Sequence, residues 1–398
     1  MQNFTFKCPT DITFGRGAEE QVGKKIKEYG GTHVFIVYGG GSVVRSGLLA
    51  RVERTLTEAG IAFTVRGGVQ PNPLVSHARE GVREAIAFKA DFILAVGGGS
   101  VIDTAKAIAH GVANPKTDIW DFWSGRAKLT KSTPLAVVLT LAAAGSETSD
   151  SAVLTNEEMG VKGGINTPFN RPTLAFMNPE LTYTVPKKQL VAGISDIMMH
   201  TLERYFTKVK EQNRLTDLVA EGLLKDVVSS ARVAVQDQTN YDAMSEIMWC
   251  DSVSHCNFTE LGRSKDFSCH KLGHALSAKF NTTHGESLTA VWGSWATFVY
   301  QDDLPRFAHF AEAVWDVPAD FGDDKAKAEE GIRRQVAFFK ELGMPTSLGQ
   351  LPSGVLKDTT LHDLADLVTA KGTKTVGNFH PLDWKAVSDI YTMANHEI

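Results

Sequence analysis

Two textures of apolar spacing divide this chain. In the first, short β-branched and aromatic runs begin at His33 (HVFIVYG), Phe63 (FTVRGG), Phe92 (FILAVGGG), Leu135 (LAVVLTL) and Thr173 (TLAFMNP), and they read as buried strands. Amphipathic stretches of helical period separate several of them, GLLARVERTLTEAG from Gly47 and SHAREGVREAIAFK from Ser76. Alternating strand and helix predicts a parallel sheet covered on both faces, with right-handed crossovers. After Pro186 the texture changes. KKQLVAGISDIMMHTLERYFT, LTDLVAEGLLKDVVSSARVAV, YDAMSEIMWCDSVSHC and PRFAHFAEAVWDV repeat apolar residues every three or four positions, and β-rich runs become scarce. The segment NPELTYTVP, residues 178–186, carries two prolines and is the natural boundary. The pattern predicts an α/β domain of nucleotide-binding type over residues 1–185 and an all-helical domain over 186–398, with a ligand cleft between them.

Composition narrows the class. At 398 residues the chain is long for one core and comfortable for two, and 43% apolar with 22% charged residues is ordinary for a globular protein. A net charge of −5 without a basic tail gives no reason to expect nucleic acid or an anionic membrane as partner. No run of about 20 apolar residues is present, so no membrane span is expected. The opening MQNFTFKCPTDITFG lacks a basic stretch followed by an apolar core, so no signal peptide is expected. Cys8, Cys250, Cys256 and Cys269 are dispersed and form no C-x-x-C, which fits reduced thiols in the cytoplasm.

The glycine turns bring in the first chemistry. Gly97, Gly98, Gly99 and Ser100 follow a buried strand and open a helix. Glycines let the backbone approach an anion closely, and the helix N-terminus favours negative charge there, so a pyrophosphate is the expected guest. Asp103, one turn into the helix, is placed to accept from a ribose hydroxyl or a carboxamide. The spacing is not G-x-G-x-x-G, so the dinucleotide fingerprint itself is not met. A second turn, Gly39 to Ser42, follows the strand VFIVY. It offers Gly40, Ser42 and, shortly after, Arg45, and no carboxylate. A free ribose 2′-hydroxyl asks for a carboxylate and a 2′-phosphate asks for small donors and a cation, so NADP(H) is expected over NAD(H).

The histidines bring in the second. SDIMMH sets Asp196 and His200 four apart on one helix face. His270 and His274 repeat that spacing, and His284 follows a turn-prone NTT. In an unbroken helix His284 would lie about 21 Å from His270, too far to share an ion. If both bind one metal, the chain must break near Asn281 to Thr283 and fold back. A carboxylate with imidazoles suits Fe2+ or Zn2+, and four protein ligands leave a further position for a substrate oxygen. Spacing does not decide between His270 and His274 as ligand.

Taken in order, VGGGSVIDTAKAIA, the PNP of Pro71 to Pro73, LTLAAAGSETS from Leu139, the Asp196/His200 pair and His270-x3-His274-x9-His284-Gly285 resemble the iron-containing alcohol dehydrogenases over nearly the whole chain. YGGGSV after the first long strand is similar to the branch of NADPH-dependent aldehyde reductases and butanol dehydrogenases. The resemblance implies the fold that this family shares with dehydroquinate synthases. It implies metal ligation by Asp196, His200, His270 and His284, with His274 lining the site. It implies cofactor roles for Asn72, Gly98, Gly99, Ser100, Asp103, Thr140 and Lys162, with Gly40 standing where NAD-preferring relatives tend to have Asp. It also implies a homodimer.

The expected activity is reversible hydride transfer between NADP(H) and a small aldehyde or primary alcohol, with one divalent ion as Lewis acid and His274 relaying a proton. The aromatics Phe258, Phe267, Trp292, Trp295 and Phe298 divide between core and an apolar substrate wall. Only Arg263, Lys265 and Lys271 accompany the histidine motif as cations, which argues against a highly anionic substrate. A carbon–oxygen lyase of dehydroquinate synthase type would need a dense Lys/Arg cluster and a Glu ligand. A glycerol dehydrogenase would have fewer metal ligands. A non-catalytic NADP-binding sensor would have no use for four ligands in register.

Overall fold

The computed structural model describes residues 1–208 and 211–397. Among these residues eight strands are formed: β1 (Asp11–Phe14), β2 (His33–Tyr38), β3 (Ala62–Arg66), β4 (Phe92–Gly97), β5 (Leu135–Leu139), β6 (Ser151–Asn156), β7 (Val161–Asn166) and β8 (Leu174–Met177). Six helices alternate with them: α1 (Val22–Glu28), α2 (Ser42–Arg45), α3 (Leu48–Glu58), α4 (Val75–Ala87), α5 (Gly99–Ala113) and α6 (Ile119–Trp123). Nine follow: α7 (Lys187–Tyr205), α8 (Arg214–Ala234), α9 (Tyr241–His255), α10 (Ser268–Phe280), α11 (His284–Val299), α12 (Leu304–Trp315), α13 (Asp324–Glu341), α14 (Asp358–Thr369) and α15 (Trp384–Ala394). No helix among the described residues is long and apolar enough to cross a membrane.

The sheet runs β1-β8-β5-β4-β2-β3, with every pair parallel. Strand alternation explains its cover. Val34 and Ile36, Leu94 and Val96, Ala136 and Val138, Leu174 and Phe176 all face one layer, where Val22, Ile26, Val52 and Leu56 of α1 and α3 meet them. The intervening residues, such as Ile93, Ala95 and Val137, are equally buried on the other face. Burying one such side chain contributes about 1.5–3 kcal/mol, so the central strands are held by their apolar content alone. The β6–β7 pair is a separate antiparallel ribbon, and β1 is a short edge strand. The sequence pattern had singled out neither. DITF is too short to show a period, and Gly163 and Gly164 dilute β7.

The chain forms two compact units that are not contiguous in sequence. One comprises Lys7–Val185 with Thr239–Cys256, and the other comprises Met1–Phe6, Pro186–Gln238 and Asn257–Ile398. Helix α9 thus packs with the sheet although it lies in the helical half of the chain. The reason is polar as well as apolar. Asp251 accepts the Gly145 N–H at 2.6 Å, the Ser252 hydroxyl donates to buried Glu147, and the Trp249 ring meets Phe14 edge-on. Gly145 has φ +55°, and a Cβ there would run into the Asp251 carbonyl oxygen, so only glycine allows this approach.

In the helical unit α7 is buried on every side from Leu190 to Tyr205. Helix α11 lies close against it at Gly285, where an added Cβ would overlap the Ala192 carbonyl oxygen.

Candidate metal centre and cofactor turns

Asp196 and His200 lie one turn apart on α7, His270 sits in the first turn of α10, and His284 is the first residue of α11. The chain breaks where an ion shared by His270 and His284 would require it. Helix α10 ends at Phe280, Asn281 takes a left-handed conformation with φ +52°, and α11 starts after Thr283. The break brings the side chains together. The Nε2 atoms of His200, His270 and His284 lie 3.6, 3.7 and 3.7 Å from one oxygen, Oδ1 of Asp196. Ligand atoms of Asp196, His270 and His284 all fall within 4.8 Å of one another, a spacing a single ion can bridge. His274 stands beside them, its ring centre 6.1 Å from that of His270 and 5.2 Å from that of His284.

The residues fit a cation. Asp196 Oδ1 and His270 Nε2 are both buried and have no hydrogen-bond partner. Buried polar atoms are rarely left so, and each orphaned atom costs of order 1–3 kcal/mol unless something else satisfies it. Asp196, His200 and His270 are almost wholly covered, whereas the His284 side chain is 28% exposed, so the centre opens on the His284 side. Burial opposes a charge on His270, but the Glu203 and Asp196 carboxylates outweigh it and lift its pKa to about 9.

One residue here was not picked out from the sequence. Glu203 is fully buried and accepts hydrogen bonds from both the backbone N–H and the Nδ1 of His270. Its signal was present, since a carboxylate three residues after His200 falls on the same face of an apolar helix. Phe267 had been read only as a generic aromatic. It caps α10 with φ +61°, and its ring centre lies 4.8 Å from that of His270 and 5.8 Å from that of His200. Trp292 and Trp295 are core residues with no exposed surface. Two of the cations near the motif are already engaged, Arg263 with Asp217 and Lys265 with Glu260.

The expected cofactor residues all lie in the sheet unit. Gly98 is the N-cap of α5, with Gly99 and Ser100 in its first turn, and all three are partly exposed at the end of β4. A Cβ at Gly98 would press on Leu141, so the turn is packed as tightly as glycine permits. The Thr140 N–H bonds to the Gly97 carbonyl at 3.2 Å, which places Thr140 at the neighbouring strand end. Asp103 accepts the Ser146 hydroxyl at 2.8 Å and the Val153 N–H at 2.9 Å, and a carboxylate has room for further donors. Lys162 on β7 donates to Asn72 at 2.9 Å, joining two expected cofactor residues from distant segments. At the end of β2, Gly40 and Ser42 are exposed, and the Arg45 guanidinium lies over Gly41.

The family model for iron-containing alcohol dehydrogenase matches residues 9–179, and the model for the Fe-containing alcohol dehydrogenase C-terminal region matches residues 190–395. The chain belongs to the iron-containing alcohol dehydrogenase family. This dehydrogenase is 36% identical over 392 residues to the NADH-dependent butanol dehydrogenase A of Clostridium acetobutylicum, covering 98% of this chain and 99% of that one. It is 31% identical over 396 residues to the NADPH-dependent aldehyde reductase YqhD of Escherichia coli, covering 99% of this chain and all of that one. Among solved structures, the NADH-dependent butanol dehydrogenase A of Thermotoga maritima superposes with a TM-score of 0.93 at 30% identity, covering all of this chain and 99% of that one. The α/β unit with its parallel sheet and the mostly helical remainder are the fold of that family.

Proposed function

We propose that this dehydrogenase interconverts small aldehydes and primary alcohols at a centre where Asp196, His200, His270 and His284 hold one Fe2+ or Zn2+. The observation that carries the reading is the placing of three Nε2 atoms 3.6–3.7 Å from a single buried carboxylate oxygen. One carboxylate and three imidazoles suit either ion. When bound, the metal supplies Lewis-acid polarisation of a carbonyl, and the nicotinamide supplies or receives the hydride.

The chain's own residues do the rest. Phe267 covers the histidines with an apolar ring and excludes water from that side. His274, half-buried like its neighbour His284, is proposed to hand a proton to the product oxygen and to take it back in the reverse direction. Because Arg263 and Lys265 already face acidic partners, a small uncharged substrate is favoured over a phosphorylated or carboxylated one.

On the sheet unit, the first turn of α5 is proposed to take the pyrophosphate, with Gly98, Gly99 and Ser100 presenting backbone N–H groups. Asp103, Thr140, Asn72 and Lys162 complete the cofactor set. NADP(H) is proposed over NAD(H). The exposed Gly40–Arg45 turn supports this, because it meets a 2′-phosphate with a serine and a guanidinium and with no carboxylate. The named relatives include both NADH- and NADPH-dependent proteins. A homodimer is proposed as the working form.

Elemental analysis of the purified protein, combined with a panel of short straight-chain aldehydes against NADPH and NADH, tests the reading. One Fe or Zn per chain and aldehyde-dependent oxidation of NADPH are expected. Full turnover after exhaustive chelation, with no metal left, would overturn it.

A further inference from the structure

We infer that Glu203 is a positioning residue of the metal centre: it holds the His270 ring through Nδ1, so that Nε2 is the nitrogen aimed at Asp196 Oδ1 and offered to an ion. The inference rests on the metal reading above. Glu203 is fully buried one turn beyond His200, and His270 is its sole ion-pair partner among the described residues. A buried carboxylate without compensation is expensive, so its place asks for an explanation.

The bonding supplies one. An ionised carboxylate accepts and never donates, so the proton between Glu203 and His270 must sit on Nδ1 of the ring. A neutral imidazole carries one ring proton. When the ring gives up a proton to become a ligand, Nδ1 keeps its own against the carboxylate, so Nε2 supplies the lone pair. The second carboxylate oxygen takes the His270 backbone N–H at 3.1 Å, and the Glu203 carbonyl takes the Asp266 N–H at 2.8 Å. These two bonds tie α7 to the start of α10, so the ring is fixed in place as well as in tautomer. Asp266 is itself anchored, accepting the N–H groups of Ser268, Asn378 and Phe379 at 2.7–3.0 Å.

A purely structural role would be to cap α10. The substitution Glu203→Gln separates the two. The amide oxygen still accepts the backbone N–H, so the cap survives. The amide NH2 then faces Nδ1 and donates to it, which moves the ring proton to Nε2 and points a donor at Asp196. Protein stripped of metal would be titrated with Co2+ and followed by visible absorption, with a chelator competition to set the affinity. E203Q is expected to bind about 10–100-fold more weakly than wild type. Metal-free thermal unfolding should change little, and the cobalt bands should be altered at saturation. An affinity within about twofold of wild type, whatever the stability, would overturn the inference.

NMR of 15N-histidine-labelled, metal-free wild type gives an answer that does not depend on the variant folding. Titrated to its neutral form in alkaline solution, His270, assigned by its loss in H270Q, should keep its proton on Nδ1. A neutral ring protonated on Nε2 would overturn the inference even if metal binds normally. Absence of Co2+ uptake by wild type would instead sink the metal reading, and the tautomer measurement would still decide the role of Glu203.

Discussion

Asp196 Oδ1 and His270 Nε2 face one another at 3.7 Å, both buried and neither with a hydrogen-bond partner. Two such atoms without partners are what the proposed ion would satisfy. Asp196→Asn replaces the only anion among the four proposed ligands. Complete four-ligand sites bind with about 10–16 kcal/mol, so one ligand accounts for ~3 kcal/mol, or roughly 100-fold in affinity. Metal content after dialysis should drop well below one per chain while far-UV circular dichroism is retained. A stoichiometric metal content in D196N would remove Asp196 from the ligand set.

Phe267 holds a left-handed backbone that costs an L-residue roughly 1–2 kcal/mol. Its ring offsets that by packing on His270 and by a guanidinium contact from Arg204, 4.8 Å from the ring centre. Phe267→Ala loses the ring and keeps the strain, whereas Phe267→Gly loses both. The glycine variant should therefore be the more stable by about 1 kcal/mol in metal-free unfolding, reversing the usual order of the two residues. Ala more stable than Gly would mean that the strain is absent.

Gly40 is exposed and a Cβ there would touch nothing, so Gly40→Asp fits without displacing a neighbour. Its effect should be electrostatic. The new carboxylate repels a 2′-phosphate and can accept from a 2′-hydroxyl, so kcat/KM with NADPH relative to NADH should fall by about tenfold or more. Steady-state kinetics with both cofactors provide the check, and equal losses for the two would exclude this turn from cofactor choice.

His110 gives the sheet unit a pH dependence. Asn170 spends both amide hydrogens on the carbonyls of Asp150 and Ile165, so its oxygen accepts from His110 Nε2 at 2.8 Å, and the Ser132 hydroxyl meets Nδ1 at 2.8 Å. The ring is neutral, and burial pushes its pKa down to about 4. The unfolded chain binds this proton near pH 6.5, so the contribution is complete above that value. It declines as pH falls from 6.5 towards 4, by up to about 3 kcal/mol. Urea unfolding of wild type and His110→Gln across that window should show a wild-type slope steeper by about one proton. Parallel slopes would rule His110 out as the cause.

The buried parallel strands were legible because β-branched runs such as FILAV leave no other way to bury themselves, and the strand-to-helix turn before α5 was legible because three glycines mark it. The break at Asn281 to Thr283 followed from reach once His270 and His284 were taken to share one ion. What stayed hidden depended on contacts distant in sequence. His270 and His274 have equal spacing signals, and only the packing of α10 against α7 sets one ring 3.7 Å from Asp196. The bonds that Ser146 and Val153 give to the two oxygens of Asp103 likewise join segments far apart in the chain. Nothing in the periodicity of α9 reveals that Asp251 and Ser252 answer to the loop around Gly145 and Glu147.

That last arrangement bears on how this polypeptide can be cut. A fragment ending at Val185 would keep every strand but would strip Glu147 and the Gly145 N–H of the serine and aspartate that satisfy them. The complementary fragment would carry α9 with its Trp249 face bare. The two halves are thus interdependent for solubility, and any split or fusion that respects the apparent midpoint of the gene severs a module instead of a linker.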